Sequence, residues 1–415
     1  MRESIRPGGA GPARRTTGRI GTVLCGALTV LVGAAIVAPV PAVAAAPRCG
    51  PPGDSTPAET PWPLRRLEPT SAWPLSRGAG VTVAVIDSGV SATHPALRGR
   101  VLEGRDLNGL PRQQGRCDLA GHGTVVAGLI AGSDDTGVPF SGVAPEARIL
   151  PVRVLPDNET RMDEALPGEI AEAIRWAVEN DADVINLSLV TLDRPVLADA
   201  VREALDEGVV VVAAAGNRSE NQQDLPAYPA AYPGVIAVAG VDEQGGHVGS
   251  SVSGNYVDVA APGQNIVGPA PGGEGYLAAG EGTSFAAAYV SGVVALVRAA
   301  HPDLSPEQVA DRLIRTADAP PAGVDPQVGH GVVNPYRAVA DLLGTRADPP
   351  AGALAAPPTP TDPLSGQRTV ALWAAAVGAL LAGVLLAVRP ILARGRRRGW
   401  RPGRRPPGVD PTPTA

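Results

Sequence analysis

The stretch GTSFAAAYVSGVVALVRAA, residues 282–300, places one serine, Ser284, at the predicted start of a long apolar helix. The alanines at 286–288 are small enough to let this helix pack closely against its neighbours. A serine at the start of a helix is most often a capping residue. It can also be a nucleophile, because the first turn of a helix carries free backbone N–H groups and the positive end of the helix dipole. The segment alone does not decide between a cap and a nucleophile.

The rest of the chain alternates between strand-like and helix-like segments. Apolar runs predict strands at 81–87, 147–155, 183–190, 209–217 and 234–241. Helical spacing of apolar residues predicts helices at 121–132, 168–182, 196–208, 284–302 and 305–317. Strands that alternate with helices predict an α/β domain with a parallel sheet and helices on both faces. In such sheets, reactive groups collect at the carboxyl ends of the strands.

Three further polar residues stand where predicted elements begin or end. Asp87 closes the first strand, where a carboxylate can orient an imidazole, although Asp before Ser-Gly is also a common turn residue. His122 lies between two glycines at a helix start, and a neutral imidazole can accept a hydroxyl proton. Asn217 ends the run VVVVAAAGN, where its amide can donate to an oxyanion or simply form a turn. Together with Ser284 these residues favour catalysis over four separate structural roles.

Five sequence blocks resemble the signature motifs of subtilisin-like serine proteases. They are VAVIDSGV, GHGTVVAG, AAAGN, VDVAAPG and GTSFAAAYVSG, and the resemblance covers about residues 78–340. The chain order Asp, His, Ser is also that of the subtilisin type. The resemblance implies a subtilisin-like parallel sheet and a serine endopeptidase that works through an acyl-enzyme. It implies a catalytic triad and an oxyanion donor, namely Asp87, His122 and Ser284 with Asn217.

The same resemblance implies two walls of a substrate cleft. In the family one wall pairs with the substrate backbone and lines its first pocket; here it corresponds to Ser188, Leu189 and Val190. The opposite wall corresponds to Ala214, Ala215 and Gly216. Position 190 is commonly glycine in the family, so the β-branched valine is predicted to crowd substrate residues upstream of the scissile bond. Val125 and Ala288 also depart from the common pattern, and neither belongs to the triad.

Charge and composition limit the partners and cofactors. The 415 residues carry a net charge of −6, but the first 19 are net +4 and the segment from Arg389 onward is net +7. The acidic middle argues against nucleic acid as a partner. No metal is needed for the implied chemistry, and no dense acidic loop has the spacing of a Ca²⁺ site, although many subtilases bind Ca²⁺. We therefore expect no cofactor.

The N-terminal segment has the regions of a secretory signal peptide. Three arginines (Arg14, Arg15 and Arg19) precede an apolar run from Ile20 to about Val40, and AVA at 42–44 offers a cleavage site. We expect a cleaved signal at 1–44. The apolar run is long for a signal, so an uncleaved anchor is the alternative.

A second apolar segment lies near the C-terminus. Residues 370–388 contain no charge and are long enough, at about 1.5 Å per residue, to cross a bilayer core of about 30 Å. Eight arginines follow from Arg389 onward. Because positive residues stay in the cytoplasm, we predict a single transmembrane helix at 370–392, a cytoplasmic tail at 393–415 and a catalytic domain outside the cell membrane. A buried helix of a soluble protein is the alternative.

Two cysteines remain after removal of the signal, Cys49 and Cys117. In an exported chain they suggest one disulfide, with two free thiols as the alternative. We expect it to hold an extended arm, residues 45–77, against a peptidase domain at 78–343, which a Pro/Ala-rich linker at 344–369 follows. About 35 residues are too few to fold alone, so we expect the arm to stay rather than to act as a removable inhibitory propeptide.

These flanking segments, with the GTSFAAAYVSG block, resemble mycosins, the membrane-anchored subtilases of actinobacterial type VII secretion systems. The resemblance implies several partners: protein or peptide substrates, among them secreted type VII substrates, the membrane, and subunits of the secretion complex. We therefore expect a membrane-anchored protease associated with type VII secretion. Two alternatives stay open: a mainly structural component that stabilises a secretion membrane complex, and a general cell-surface protease.

Overall fold

The computed structural model describes residues 49–156, 163–218, 224–321, 323–343, 365–397 and 399. The predicted signal peptide at 1–44 lies outside the described residues. So do residues 344–364 of the predicted linker and most of the predicted tail.

A parallel sheet of seven strands forms the centre of the domain. Its strands are β1 (Thr82–Asp87), β2 (Arg105–Asp106), β3 (Arg148–Arg153), β4 (Val184–Leu187), β5 (Val210–Ala214), β6 (Ile236–Val241) and β7 (Val259–Pro262). They lie in the order β2-β3-β1-β4-β5-β6-β7, and every neighbouring pair is parallel. A separate antiparallel pair consists of β8 (Ile266–Pro269) and β9 (Tyr276–Gly280). The predicted parallel sheet is confirmed.

Eight α-helices occur among the described residues. They are α1 (Trp62–Leu67), α2 (His122–Ala131), α3 (Leu166–Glu179), α4 (Pro195–Asp206), α5 (Thr283–Ala300), α6 (Pro306–Thr316), α7 (Pro335–Ala340) and α8 (Ser365–Arg397). Helices α2 and α5 cover one face of the sheet, and α3 and α4 cover the other. The predicted two-layered cover of helices is therefore also confirmed.

Strand β1 shows how the sequence builds both layers. Successive side chains of a strand point to opposite faces of a sheet. Val83 and Val85 pack in the same apolar cluster as α2 and α5, whereas Ala84 and Ile86 pack with α3 and α4. Because both faces are covered, all six residues of β1 are buried and the strand is a continuous apolar run.

The N-terminal arm differs from the extended segment expected for 45–77. Within its described part, residues 62–67 form α1, which turns its apolar residues towards the domain. The arm is joined to the domain by the disulfide between Cys49 and Cys117. Trp62 Nε1 also donates to the carbonyl of Gln264 at 2.9 Å. A short helix forms here because Trp62 and its apolar neighbours are buried against the domain, a tertiary contact that the sequence pattern does not reveal.

Three predicted strands end earlier than expected, and the first of them, β3, stops at Arg153 rather than at 155. Strand β4 stops at Leu187 rather than at 190, and β5 stops at Ala214 rather than at 217. The sequence did not predict β8 and β9, which are rich in Gly, Pro and Ala and lack a clear alternation of polar and apolar residues. The shortened ends of β4 and β5 leave residues 188–190 and 215–217 outside the ladders at the carboxyl edge of the sheet.

Two described helices are long and apolar enough to cross a membrane, and burial distinguishes them. The segment Thr283–Ala300 is 89% buried in the domain, so it is a core helix. The segment Ala371–Arg397 is 0% buried, and it is a candidate transmembrane span. Helix α8 begins at Ser365, inside the predicted linker, and contains Pro390.

Candidate active site

Asp87 and His122 are brought together by the ends of β1 and α2. Asp87 is the last residue of β1 and is fully buried, and His122 is the first residue of α2. His122 Nδ1 lies 2.8 Å from Asp87 Oδ1 and 3.0 Å from Oδ2. A carboxylate accepts hydrogen bonds only, so Nδ1 carries the proton and Nε2 is left to act as a base. The structure thus brings together the two residues that the sequence predicted as base and orienting acid.

Glycine at 123 allows this close approach. A Cβ atom at Gly123 would lie 2.2 Å from the carbonyl oxygen of Gly89, a distance that no real side chain tolerates. A side chain there would push α2 away from the segment that follows β1. The GHGT motif therefore combines the base with the space that it needs.

Ser284 is the second residue of α5, and the helix cap is Gly282. The alternative that Ser284 is a capping serine is therefore wrong. Its carbonyl accepts a hydrogen bond from Ser188 Oγ at 2.8 Å. Ser188 Oγ in turn accepts from Asn186 Nδ2 at 2.9 Å. Asn186 Oδ1 accepts from the hydroxyl of Ser291, a later residue of α5, also at 2.9 Å. This buried chain of side chains fixes the first turn of α5 against the sheet.

The hydroxyl of Ser284 is at the surface of the site. The residue is 7% exposed, and the rings of His122 and Phe285 lie 5.4 Å apart, so the imidazole lies over the start of α5. Among the described residues, Ser284 Oγ has no hydrogen-bond partner, and it forms no hydrogen bond with His122 Nε2. Catalytic hydrogen bonds are often long before substrate binds and tighten in the complex.

Asn217 is held so that its amide nitrogen faces the serine. Its Oδ1 accepts from the backbone N–H of Thr283 at 2.9 Å and from the Thr283 hydroxyl at 3.2 Å. With the oxygen occupied, Nδ2 is free to donate. A Cβ atom built on Gly282 would lie 3.1 Å from Ser284 Oγ and 3.4 Å from Asn217 Nδ2. The two groups therefore flank one small space, which the missing side chain of Gly282 keeps open.

A second carboxylate below the site was missed by the sequence analysis. Asp118 is fully buried, and its Oδ1 accepts from Ser88 Oγ at 2.9 Å and from the N–H of Gly121 at 2.7 Å. Its Oδ2 accepts from both the N–H and the hydroxyl of Thr124. Ser88 Oγ also lies 3.1 Å from Asp87 Oδ1. Asp118 thus ties the loop before α2, and its first turn, to the segment that follows β1.

The pKa of His122 reflects this setting. Burial of the ring lowers the pKa of His122. The charge of Asp87, its hydrogen bond to Nδ1 and the charge of Asp118 together raise the pKa by more, so the net shift is upward. Burial raises the pKa of Asp118 itself, although hydrogen bonds from Thr124 and Gly121 oppose that shift. The imidazolium that forms during proton transfer is therefore stabilised by two nearby carboxyl groups.

The residues expected to bind substrate fall into two groups. Ser188, Leu189, Ala214 and Ala215 are buried, and the side chain of Ser188 supports α5 instead of facing the cleft. Val190 is half-buried, and its Cγ2 atom faces Gly216 across the cleft. Because β4 ends at Leu187, the backbone of residues 188–190 lies outside the sheet ladder. The expected pairing with a substrate would therefore use this backbone and not the side chains. Within the described ranges, no group of three or more His, Cys, Asp or Glu residues could hold a metal ion.

Comparisons with known proteins agree with this geometry. The model of the subtilase family (Peptidase_S8) matches residues 78–331. Mycosin-4 of Mycobacterium tuberculosis is 36% identical over 374 residues, which cover 80% of each chain. The crystal structure of MycP1 from Mycobacterium smegmatis has a TM-score of 0.63 at 31% identity, over 72% of this chain and 89% of that one.

One solved assembly also contains a similar chain. In the structure of an intact ESX-5 inner membrane complex, a chain matches with a TM-score of 0.62 and 32% identity, over 84% of this chain and 97% of that one. The matches cover the peptidase domain and, in the complex, a larger share of this protein. This protein is thus a member of the subtilase family, a subtilisin-like serine endopeptidase related to the mycosins.

Proposed function

We propose that the enzyme hydrolyses peptide bonds through an acyl-enzyme on Ser284. His122 Nε2 takes the proton of the hydroxyl as Ser284 Oγ attacks the carbonyl carbon, and it later gives that proton to the leaving amine. Asp87 holds the ring through Nδ1 and stabilises its positive charge. The negative charge that develops on the carbonyl oxygen is stabilised by Asn217 Nδ2 and by the N–H of Ser284 at the start of α5. Water, activated by the same imidazole, then releases the acyl group.

One observation carries this proposal. Both carboxylate oxygens of Asp87 lie within 3.0 Å of His122 Nδ1, which fixes the tautomer that can deprotonate a serine. The hydroxyl of Ser284 and the amide of Asn217 face one common space beside this ring. No separate metal is needed for the chemistry that these four side chains supply.

A fluorophosphonate probe tests the assignment, because it reacts covalently with an activated serine. The full chain in detergent micelles should be labelled and should cleave peptides, whereas Ser284→Ala should do neither. Ser71→Ala is the matched control, since Ser71 is exposed and its hydroxyl bonds only the nearby carbonyl of Glu68. Asn217→Ala should lower kcat by about 10²–10³ and change KM little. Labelling of Ser284→Ala equal to that of the parent would refute the nucleophile.

The enzyme is anchored in the cell membrane by α8, with the peptidase domain outside and the arginine-rich end in the cytoplasm. The charge on the two sides of the span supports this orientation, because Arg394, Arg396 and Arg397 lie at the end of α8. The signal peptide at 1–44 is removed on export, and the linker at 344–369 separates the domain from the membrane. Cleavage of the domain, but not of the tail, by a protease added to intact cells tests this topology.

The enzyme acts in type VII secretion, on peptides or proteins that pass through such a system. Its similarity to Mycosin-4 and to a chain of the ESX-5 complex supports this role. The latter likeness favours a second function, in which the protein stabilises the secretion membrane complex. Secretion by a Ser284→Ala strain separates the two functions. Normal secretion in that strain, with loss only on deletion of the protein, favours the structural role. Loss in both strains favours proteolysis, and normal secretion in both favours a general surface protease.

A further inference from the structure

The two walls of the substrate cleft approach each other at Val190 and Gly216. A Cβ atom built on Gly216 would lie 3.6 Å from Val190 Cγ2, 3.4 Å from Val252 Cγ2 and 2.8 Å from Ala227 Cβ. Apolar side chains from three separate segments therefore converge on the space in front of one glycine. Of these side chains, only that of Val190 stands out in the sequence.

This space is too narrow for a substrate side chain. A Cα–Cβ bond is about 1.5 Å long, so Val190 Cγ2 lies no more than about 5 Å from Gly216 Cα. Carbon atoms in contact are about 3.5–4.0 Å apart, so a carbon between these two atoms would require roughly 7–8 Å. Val190 thus occupies the gap that a longer side chain would have to enter.

Hydrogen bonds keep the wall that contains Gly216 in place. The N–H of Gly216 donates to Thr283 Oγ1 at 3.2 Å, and its carbonyl accepts from the N–H of Val252 at 2.9 Å. The carbonyl of Ala215 accepts from Tyr256 OH at 2.7 Å. Gly216 also has a φ of +102°, which other residues rarely adopt, so a substitution there would be strained.

The opposite wall is tied to the segment that contains Ala227. The N–H of Thr191, next to Val190, donates to the carbonyl of Tyr228 at 2.9 Å. The N–H of Ala227 donates to the same Tyr256 hydroxyl that bonds the first wall. Because both walls share these bonds, they cannot separate without breaking them.

The position of this gap relative to the nucleophile gives it a role. Asn217 Nδ2 and Ser284 Oγ mark where the scissile carbonyl is held, and Gly216 immediately precedes Asn217. The wall beside Gly216 is therefore the part of the cleft next to the residue that supplies this carbonyl, called P1. Val190 lies on the opposite wall, faces Gly216 and is half-buried, so a substrate can touch it.

We propose that Val190, with Ala227 behind it, closes the P1 pocket, so that the enzyme cleaves after glycine, alanine or serine. Side chains no larger than a methyl or hydroxymethyl group stay at the mouth of the pocket and need no displacement of Val190. Larger P1 residues must move Val190 or the walls. This inference rests on the proposed function and names the substrate class of that site.

A set of peptides that differ only at P1 tests the inference. The full chain in detergent micelles is assayed for kcat/KM with alanine, serine, leucine and phenylalanine at P1, and Ser284→Ala shows the background. Val190→Gly and Val190→Ala are compared with Val324→Gly, since Val324 is 65% exposed and matches the first substitution. Two variants at 190 keep the test informative if the glycine variant folds poorly.

We expect the parent and Val324→Gly to prefer alanine over phenylalanine at P1 by about 100-fold, the scale of discrimination that a closed pocket provides. Val190→Gly should reduce that ratio to less than about tenfold, and Val190→Ala should lie between. Equal cleavage after alanine and phenylalanine by the parent would overturn the inference but leave the proposed function intact. An unchanged ratio in both Val190 variants would overturn it too. Absence of any Ser284-dependent cleavage would overturn the proposed function itself.

Discussion

Removal of the Cys49–Cys117 disulfide is expected to lower the free energy of unfolding by about 4 kcal/mol. The two cysteines are 68 residues apart, and the bridge closes this stretch into a loop in the unfolded chain. A loop of that length loses closure entropy worth about 4 kcal/mol at 25 °C. We expect the folded arm to keep α1 and the bond from Trp62 to Gln264 without the bridge. The main effect of the double substitution Cys49→Ala/Cys117→Ala therefore lies in the unfolded state.

Urea unfolding followed by tryptophan fluorescence measures the effect. The parent and the double variant both carry Ser284→Ala, so that unfolded chains are not digested. With an m value of about 3 kcal/mol per molar urea, a loss of about 4 kcal/mol lowers the midpoint by roughly 1.3 M. Reductant should lower the midpoint of the parent by a similar amount and leave that of the double variant unchanged.

Two outcomes would refute this reasoning. A midpoint shift below roughly 0.3 M at the same m value would mean that the bridge does not restrict the unfolded chain as loop closure requires. A response of the double variant to reductant as large as that of the parent would mean that the reductant acts elsewhere than on the Cys49–Cys117 bond.

Three further predictions concern the site and its surroundings. Gly282→Ala should lower kcat by about 10- to 100-fold, because the new methyl group contacts Ser284 Oγ. The fold should stay intact, since the extended backbone at 282 accepts alanine, and circular dichroism checks this. Asp118→Asn should move the acid limb of the kcat/KM profile to lower pH, because the charge of Asp118 helps to raise the pKa of His122, and an unmoved limb would contradict this. His94 is buried with a lowered pKa, so its contribution to stability is present above pH about 6.5 and is lost as pH falls. Between pH 7.5 and 5, Tm should therefore fall less in His94→Asn than in the parent, both in the Ser284→Ala background, and equal slopes would count against the role of His94.

The sequence predicted those parts of the site that stand at the ends of regular elements. Asp87 ends an apolar strand, His122 begins a helix between two glycines, and Ser284 lies in the first turn of another helix, so pattern and chemistry pointed to the same residues. Asp118 follows Cys117 in a loop without periodicity, and nothing in the sequence shows that its oxygens accept bonds from Ser88 and Thr124. Such a role depends on how distant segments meet.

The structure of the cleft was less predictable for the same reason. Val190 stood out because it departs from the glycine common in similar sequences, but its distance from Gly216 depends on how two strands end. Ala227 lies in an irregular segment, directly before the cis Tyr228–Pro229 bond, and no spacing rule in the sequence places it beside Gly216. The arm helix α1 is short and lies in a segment rich in proline and polar residues, so the segment was expected to be extended, although burial makes it helical.

The central position of α5 also determines when the enzyme can become active. This helix packs against β4, β5, β6 and β7 and against α2, so its buried face is covered only after strands from most of the domain have assembled. Contacts between such distant segments form late in folding. We therefore expect Ser284 and His122 to meet only once these strands are in place. An unfolded chain carries no assembled site, so its activity begins only after the domain has folded.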